Sequence, residues 1–525
     1  MFVFSPIHAG GNFETEDIYA IKDIILSDVS HDGNGVVFIT SQAKKESDVF
    51  KRTLYFLDTQ KQQKVKLLEL LGEKGMSFSN VKFSSDSKSI YFLSSGIKAS
   101  DEESNLLWTL NLSNKIKTKL IRFNGNISDY DVSTDGMTIA FIGSKKTQNK
   151  IDDKTPPPIV IDRYQFKRDY EDYLGDERDH LYLFDSKSKT IKQMTSGQRD
   201  HYLPSISPDG LNIAYVTKEG EFDRHNNWDI FIRKMEAKEE PKKLTSNDGG
   251  DSSPEWGSRP QWSPDGTKIA YLFGGDHSML WYALQEVSII DVDTGRTDII
   301  TKEFDRNTYM PKWSKDGTGI YFILEDDMKS QLYKYSLMDD SFTELTPENM
   351  YLSYYSSNYH IIGDQIIFQS STVTNPDEIY RLKDGQINAI TSENEHFIRN
   401  KLIGSTELIS FQSFDGLPIN GMMIRPYDFD PKKKYPLIIR VHGGPVSQYG
   451  RYFDFDWQLF ASNGYVVMVT NPRGSSGRGY DFQKSIFANW GIEDSKDISA
   501  ALDFALDLGY IDENRLIITK AAEKI

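Results

Sequence analysis

The 525-residue chain contains no cysteine. That excludes disulfide bridges, cysteine-ligated zinc and thiolate catalysis. No window approaches the roughly 18 apolar residues of a membrane-spanning helix. The N-terminus, MFVFSPIHAGGNFETEDIY, lacks a basic segment, and its short apolar run is broken by Ser5 and Pro6, unlike a secretory signal. A cytoplasmic protein is therefore expected. Positive charge is in deficit, with 61 Lys and Arg against 77 Asp and Glu, a net charge of −16. Such a surface repels nucleic acid and anionic membrane, and neither is expected as a partner. Histidine is scarce too: there are nine, and none follows His442. Nothing in the composition calls for a metal or a cofactor.

What the chain has in abundance is a repeat. DVSTDGMTIAFIGS, SISPDGLNIAYVTK, QWSPDGTKIAYLFG and KWSKDGTGIYFILE are variants of one unit. DVSHDGNGVVFITS and KFSSDSKSIYFLSS are weaker copies, and IIGDQIIFQSS has lost the serine. In each, a tight turn leads into an alternating stretch such as Ile269, Tyr271 and Phe273, which has the period of a strand. A second strand then ends in a polar turn, as in VSIIDVDTGRTDIITK. The aspartates Asp32, Asp86, Asp135, Asp209, Asp265, Asp316 and Asp364 lie 54, 49, 74, 56, 51 and 48 residues apart. Four-stranded repeats of about 40–50 residues are the mark of propeller blades, so an all-β seven-bladed β-propeller is predicted over residues 1–404, with an N-terminal extension. The long interval holds an insertion from Lys145 to Asp179, which reads either as a lid over a substrate path or as an exposed hairpin.

From about residue 405 the pattern changes. ISFQSFDGLPINGMMIRP reads as an antiparallel hairpin, and YPLIIRVHGGP and GYVVMVTNPRG as buried strands. DSKDISAALDFALDLGY reads as a helix capped by Asp494 or Ser495 and ended at Gly509. RLIIT is the next strand, giving a parallel α/β sheet over 405–525.

Four features in this order, the seven blades, HGGP, NPRGSSGRG and WGIED, resemble the prolyl oligopeptidase family of serine peptidases, nearest its acylaminoacyl-peptidase and dipeptidyl-peptidase-like branch. The resemblance covers nearly the whole chain. It implies a propeller followed by an α/β-hydrolase domain, with a Ser-Asp-His triad acting on short peptides. In that fold the serine stands on a Gly-x-Ser-x-Gly elbow and is followed by Asp and then His.

Here the chain departs from the pattern. Thr519 is followed by Lys-Ala-Ala-Glu-Lys-Ile, and no Gly-x-Ser-x-Gly occurs elsewhere; GSSGRG at Gly474–Gly479 has arginine at the last position. The 525 residues therefore hold no triad by this reading, and the domain reads as truncated before the catalytic serine. Ser447, Ser475 and Ser476 lie in loops near the expected site, but His442 is the domain's one histidine, and no general base is assigned to any of them. By resemblance, the backbone N–H of Gly444 is one oxyanion-hole donor. Asp494 and Asp497 suit a helix N-terminus rather than a triad. The polypeptide is expected to be inactive as written, and its last strand, left at a sheet edge, to promote self-association. The alternative is a non-catalytic propeller that binds a peptide or protein partner.

Overall fold

The computed structural model describes residues 10–72, 78–94, 106–145, 158–161, 163–168, 172–236, 239–355 and 358–520. Much of the blade-three insertion and the terminal Ala521–Ile525 lie outside these ranges.

Seven four-stranded antiparallel sheets occupy residues 23–72, 78–119, 125–193, 201–243, 261–299, 308–344 and 359–389. The first turn of the predicted unit is held by side chains. Ser207 Oγ donates to Asp209 Oδ1 at 2.5 Å, and the same bond recurs at Ser133–Asp135, Ser263–Asp265 and Ser314–Asp316. Each aspartate also accepts a backbone N–H two residues on, as from Leu211. These bonds hold the carboxyl groups below their usual range, Asp316 down to about 2. Proline occupies the second position in only two copies, so the Ser–Asp pair rather than proline sets the turn.

The ring closes without a shared strand. Ile24, Leu26 and Phe38 of the first blade pack against Ile367 and Ile379 of the seventh. Gln369 Oε1 accepts from the Leu26 N–H at 2.9 Å across the seam, and Lys22 pairs with Glu393 at 2.8 Å.

Beyond the propeller, β1 (Ser405–Gln412), β2 (Pro418–Arg425), β3 (Tyr435–Val441), β4 (Val466–Asn471) and β5 (Ile511–Lys520) form one sheet in the order β1-β2-β4-β3-β5. The β3 strand is parallel to both β4 and β5. Helices α1 (Phe455–Ser462) and α2 (Glu493–Asp507) pack on it. All of β4 is buried, as its unbroken apolar run requires. The fold is a seven-bladed propeller followed by an α/β-hydrolase sheet.

Three details differ from expectation. The α2 helix begins at Glu493 with Ile492 as its unbonded N-cap, so Asp494 and Ser495 sit in the first turn instead of capping it. The β5 strand starts at Ile511, where it pairs with Tyr435, before the register is re-established at Leu516. The N-terminal extension joins the hydrolase side: Phe13, 1% exposed, lies against Phe397 and Phe455, and its N–H donates to Ser462 Oγ at 2.9 Å.

The two parts interlock through a hairpin tip of blade six. Met328 is buried among Met422, Tyr449 and Trp457. Its N–H donates to Gln448 Oε1 at 2.8 Å, while Gln448 Nε2 donates to Lys329 O at 3.0 Å. Asn307 Nδ2 donates to Gln483 Oε1 at 2.9 Å on a second line of contact.

Candidate active site

The β3 strand ends at Val441 and the chain turns sharply through His442, Gly443 and Gly444. Gly444 has φ +124°, and a Cβ there would lie 2.8 Å from Val446 N. Only glycine holds this turn without strain. Gly444 is exposed, and among the described residues its N–H has no hydrogen-bond acceptor. A free N–H at the carboxyl end of a central parallel strand is positioned to receive an oxyanion.

Beside it, the loop after β4 is fixed by Arg473. Its guanidinium bonds Asp497 at 2.9 Å, Asp415 at 3.0 Å and Glu493 at 2.8 Å. Asp497, 1% exposed, also accepts from Ser413 Oγ at 2.5 Å and from Arg473 N at 2.9 Å. Asp497 is therefore a buried anchor of the loop as well as a residue of the helix N-terminus. Hydrogen bonding to Asp497 is the first cause that holds Arg473 above its usual basicity.

That loop brings Ser475 to His442, a meeting the sequence reading did not foresee. Ser475 Oγ lies 2.8 Å from His442 Nε2. The pair is not a catalytic dyad. Ser475 is 1% exposed, and its hydroxyl already donates to Pro472 O at 2.6 Å. His442 Nδ1 donates to Gly443 O at 2.7 Å, so no carboxylate orients the ring. Burial holds its pKa below the usual histidine range. The bonds instead tie the Gly443–Gly444 turn to the loop after β4. Ser476 is 2% exposed, and Ser447 lines the neighbouring cavity.

That cavity, about 730 Å³, lies between the propeller and the hydrolase sheet, above the seam of blades one and seven. Its walls combine Tyr351, Tyr354 and Glu325 of the propeller with Ser447, Gln448 and Asp454 of the hydrolase part. No described residue of the blade-three insertion reaches it. The described part of that insertion is a two-rung ribbon, Lys167–Arg168 against Asp172–Tyr173, anchored through Arg163 and Asp223 at 3.0 Å. Among the described residues no group of three or more His, Cys, Asp or Glu has a metal-binding arrangement, and no helix is long and apolar enough to cross a membrane.

A seven-bladed propeller joined to an α/β-hydrolase sheet defines the class of fold. Residues 451–519 match the prolyl oligopeptidase family. The chain is 27% identical over 532 residues to the uncharacterized peptidase YuxL of Bacillus subtilis, covering 96% of this chain and 77% of that protein. It is 26% identical over 320 residues to dipeptidyl-peptidase 5 of Porphyromonas gingivalis, covering 59% of this chain and 45% of that protein. The acylaminoacyl peptidase of Pyrococcus horikoshii shares the fold, with a TM-score of 0.77 at 21% identity over 97% of this chain and 75% of that one. The match to the prolyl oligopeptidase family lies within the hydrolase part, and the similarity to YuxL extends over nearly the whole chain. The chain spans about half the length of the dipeptidyl-peptidase 5 relatives.

Proposed function

We propose that these residues supply the substrate cavity and part of the oxyanion hole of a serine-type peptidase acting on short peptides, of the acylaminoacyl- or dipeptidyl-peptidase kind. The observation that carries this reading is Gly444, whose free N–H stands at the end of β3 in a turn that excludes a side chain. The names of the relatives support the reaction class. A cavity of about 730 Å³ suits a ligand of a few residues and is too small for a folded protein.

In the reaction, a serine hydroxyl attacks the substrate carbonyl and the oxygen takes up negative charge. The Gly444 N–H donates to that oxygen, and such a donor is worth roughly 10²–10³ in rate. The His442–Ser475 bond and the Arg473 ion pairs hold the donor in place. The nucleophile itself is not among the 525 residues. Without it the polypeptide performs no acyl transfer, because Ser475 is buried and spoken for, and an unassisted serine is a weak nucleophile.

A serine-directed fluorophosphonate probe tests this. The 525-residue polypeptide should remain unlabelled. A polypeptide continued through a Gly-x-Ser-x-Gly elbow and the following Asp and His should be labelled and should hydrolyse short chromogenic peptides. Labelling of the 525-residue form, or inactivity of a folded continued form, contradicts the assignment.

A further inference from the structure

The far mouth of the propeller channel holds another cavity, of about 590 Å³. Asp28, Lys82, Asp131, Gln261, Lys312 and His360 line it, each from the first strand of a different blade, which places it on the propeller axis. It opens among the Ser–Asp turns, beside Ser133 and Ser314. In blade six that turn and the Met328 tip, which meets the hydrolase part, stand at opposite ends of the same strand. The cavity is therefore on the face turned away from the interdomain space.

Two pairs of blades build its wall in the same way, with one exchange. In blades two and three, Lys82 lies over the Tyr130 ring at 5.5 Å, and Tyr130 Oη donates to Asn80 O at 2.5 Å. Lys82 Nζ then donates to Asp131 Oδ1 at 2.8 Å. In blades six and seven, Lys312 lies over the Tyr359 ring at 4.5 Å, and Tyr359 Oη donates to Met310 O at 2.5 Å. The first strand breaks register at the same point in both, just before Lys82 and just before Lys312. The exchange is at the next position, where blade three has Asp131 and blade seven has His360. Lys312 Nζ is left with two neutral oxygens, Asn358 Oδ1 at 2.8 Å and Tyr359 O.

His360 does not replace the missing charge. Burial holds its pKa well below the usual histidine range, and its Nδ1 lies 3.3 Å from Asp28 Oδ1. Burial also brings the Lys312 ammonium down to about 8, and Asp28 offsets only part of that. A desolvated cation held by neutral groups gains from any anion that can reach it with a charge-assisted hydrogen bond. The lining favours one: it carries Lys82, Lys312 and Lys315 against Asp28 and Asp131, in a chain whose net charge is −16.

We propose that the far mouth of the propeller channel binds a small monocarboxylate, which takes at Lys312 the place that Asp131 takes at Lys82. The acid is either the carboxyl terminus of a short peptide or a free organic acid; both bring the same group. Asp28 disfavours a doubly charged anion there. The inference rests on no catalytic residue and on no property of the interdomain cavity.

The test is isothermal titration of the 525-residue polypeptide with N-acetyl-Gly-Phe, its amide and sodium acetate. If the site takes a peptide terminus, the peptide acid should bind about tenfold or more tighter than its amide. If it takes only free acids, acetate should bind while peptide acid and amide behave alike. In either case Lys312→Met should weaken the carboxylate about tenfold or more. His360→Asp, which gives Lys312 the carboxylate that Asp131 gives Lys82, should do the same while keeping the cation, and it remains decisive if the methionine variant does not fold. Peptide acid and amide behaving alike with no binding of acetate, or carboxylate binding that survives either substitution, overturns the inference and leaves the peptidase assignment standing.

Discussion

Glu325 makes the stability of the protein depend on pH. Burial raises its carboxyl from 4.5 to about 7, an effect that the polar side chains of Ser476, Asn307, Tyr309 and Gln448 around it partly offset. The folded state therefore binds the proton more tightly than the unfolded chain. The sign follows from linkage: the stabilising effect of the neutral carboxyl is complete below pH 4.5 and is lost as pH rises through about 7. Glu325→Gln removes this loss. Urea unfolding of the two proteins should coincide near pH 4.5, and the variant should be more stable above pH 7 by on the order of 3 kcal/mol. Parallel stability curves across that range would show that the carboxyl is not buried in its charged form.

At the scale of elements, the β5 strand deserves the closest look. Among the described residues it is the edge of its sheet, and Ile517 and Ile518 are 43% and 60% exposed. Apolar side chains on an open strand edge promote pairing with another chain. The 525-residue polypeptide should therefore self-associate in sedimentation at micromolar concentration, and Ile518→Lys should shift it towards monomer by placing a charge on the edge. A monomeric parent protein would count against that expectation.

The elements themselves were largely legible in the sequence. The spacing of Asp32 to Asp364 marked all seven blades: six share the Ser–Asp turn, which leaves a fixed residue pattern, and the seventh turns at the same place through Gly363 and Asp364. The unbroken run Val466–Thr470 marked a strand covered on both faces. The start of α2 was misread because Asp494 and Ser495 have capping chemistry, whereas Asp497 one turn later is drawn into Arg473 and sets the helix against the loop.

For the molecule as a whole, the site was only half legible. Gly444 could be singled out only through the family resemblance, since a glycine pair after a buried strand by itself asks for no more than a turn. The cavity could not, since Glu325, Asp377 and Asp454 stand far apart in the chain and meet only where two domains close on one another. His442 and Ser475, 33 residues apart, meet because they follow the paired parallel strands β3 and β4. What the assembled molecule offers is a cavity between its two parts, an exposed Gly444 N–H and a pocket of acid and aromatic groups. The most direct measurement is the sequence of the coding DNA downstream of the Thr519 codon, read in all frames for several hundred bases. A frame that encodes Gly-x-Ser-x-Gly at once, with Asp and then His further on, is the predicted result. The absence of any such frame would contradict the peptidase assignment and leave a cavity that binds peptides without cutting them.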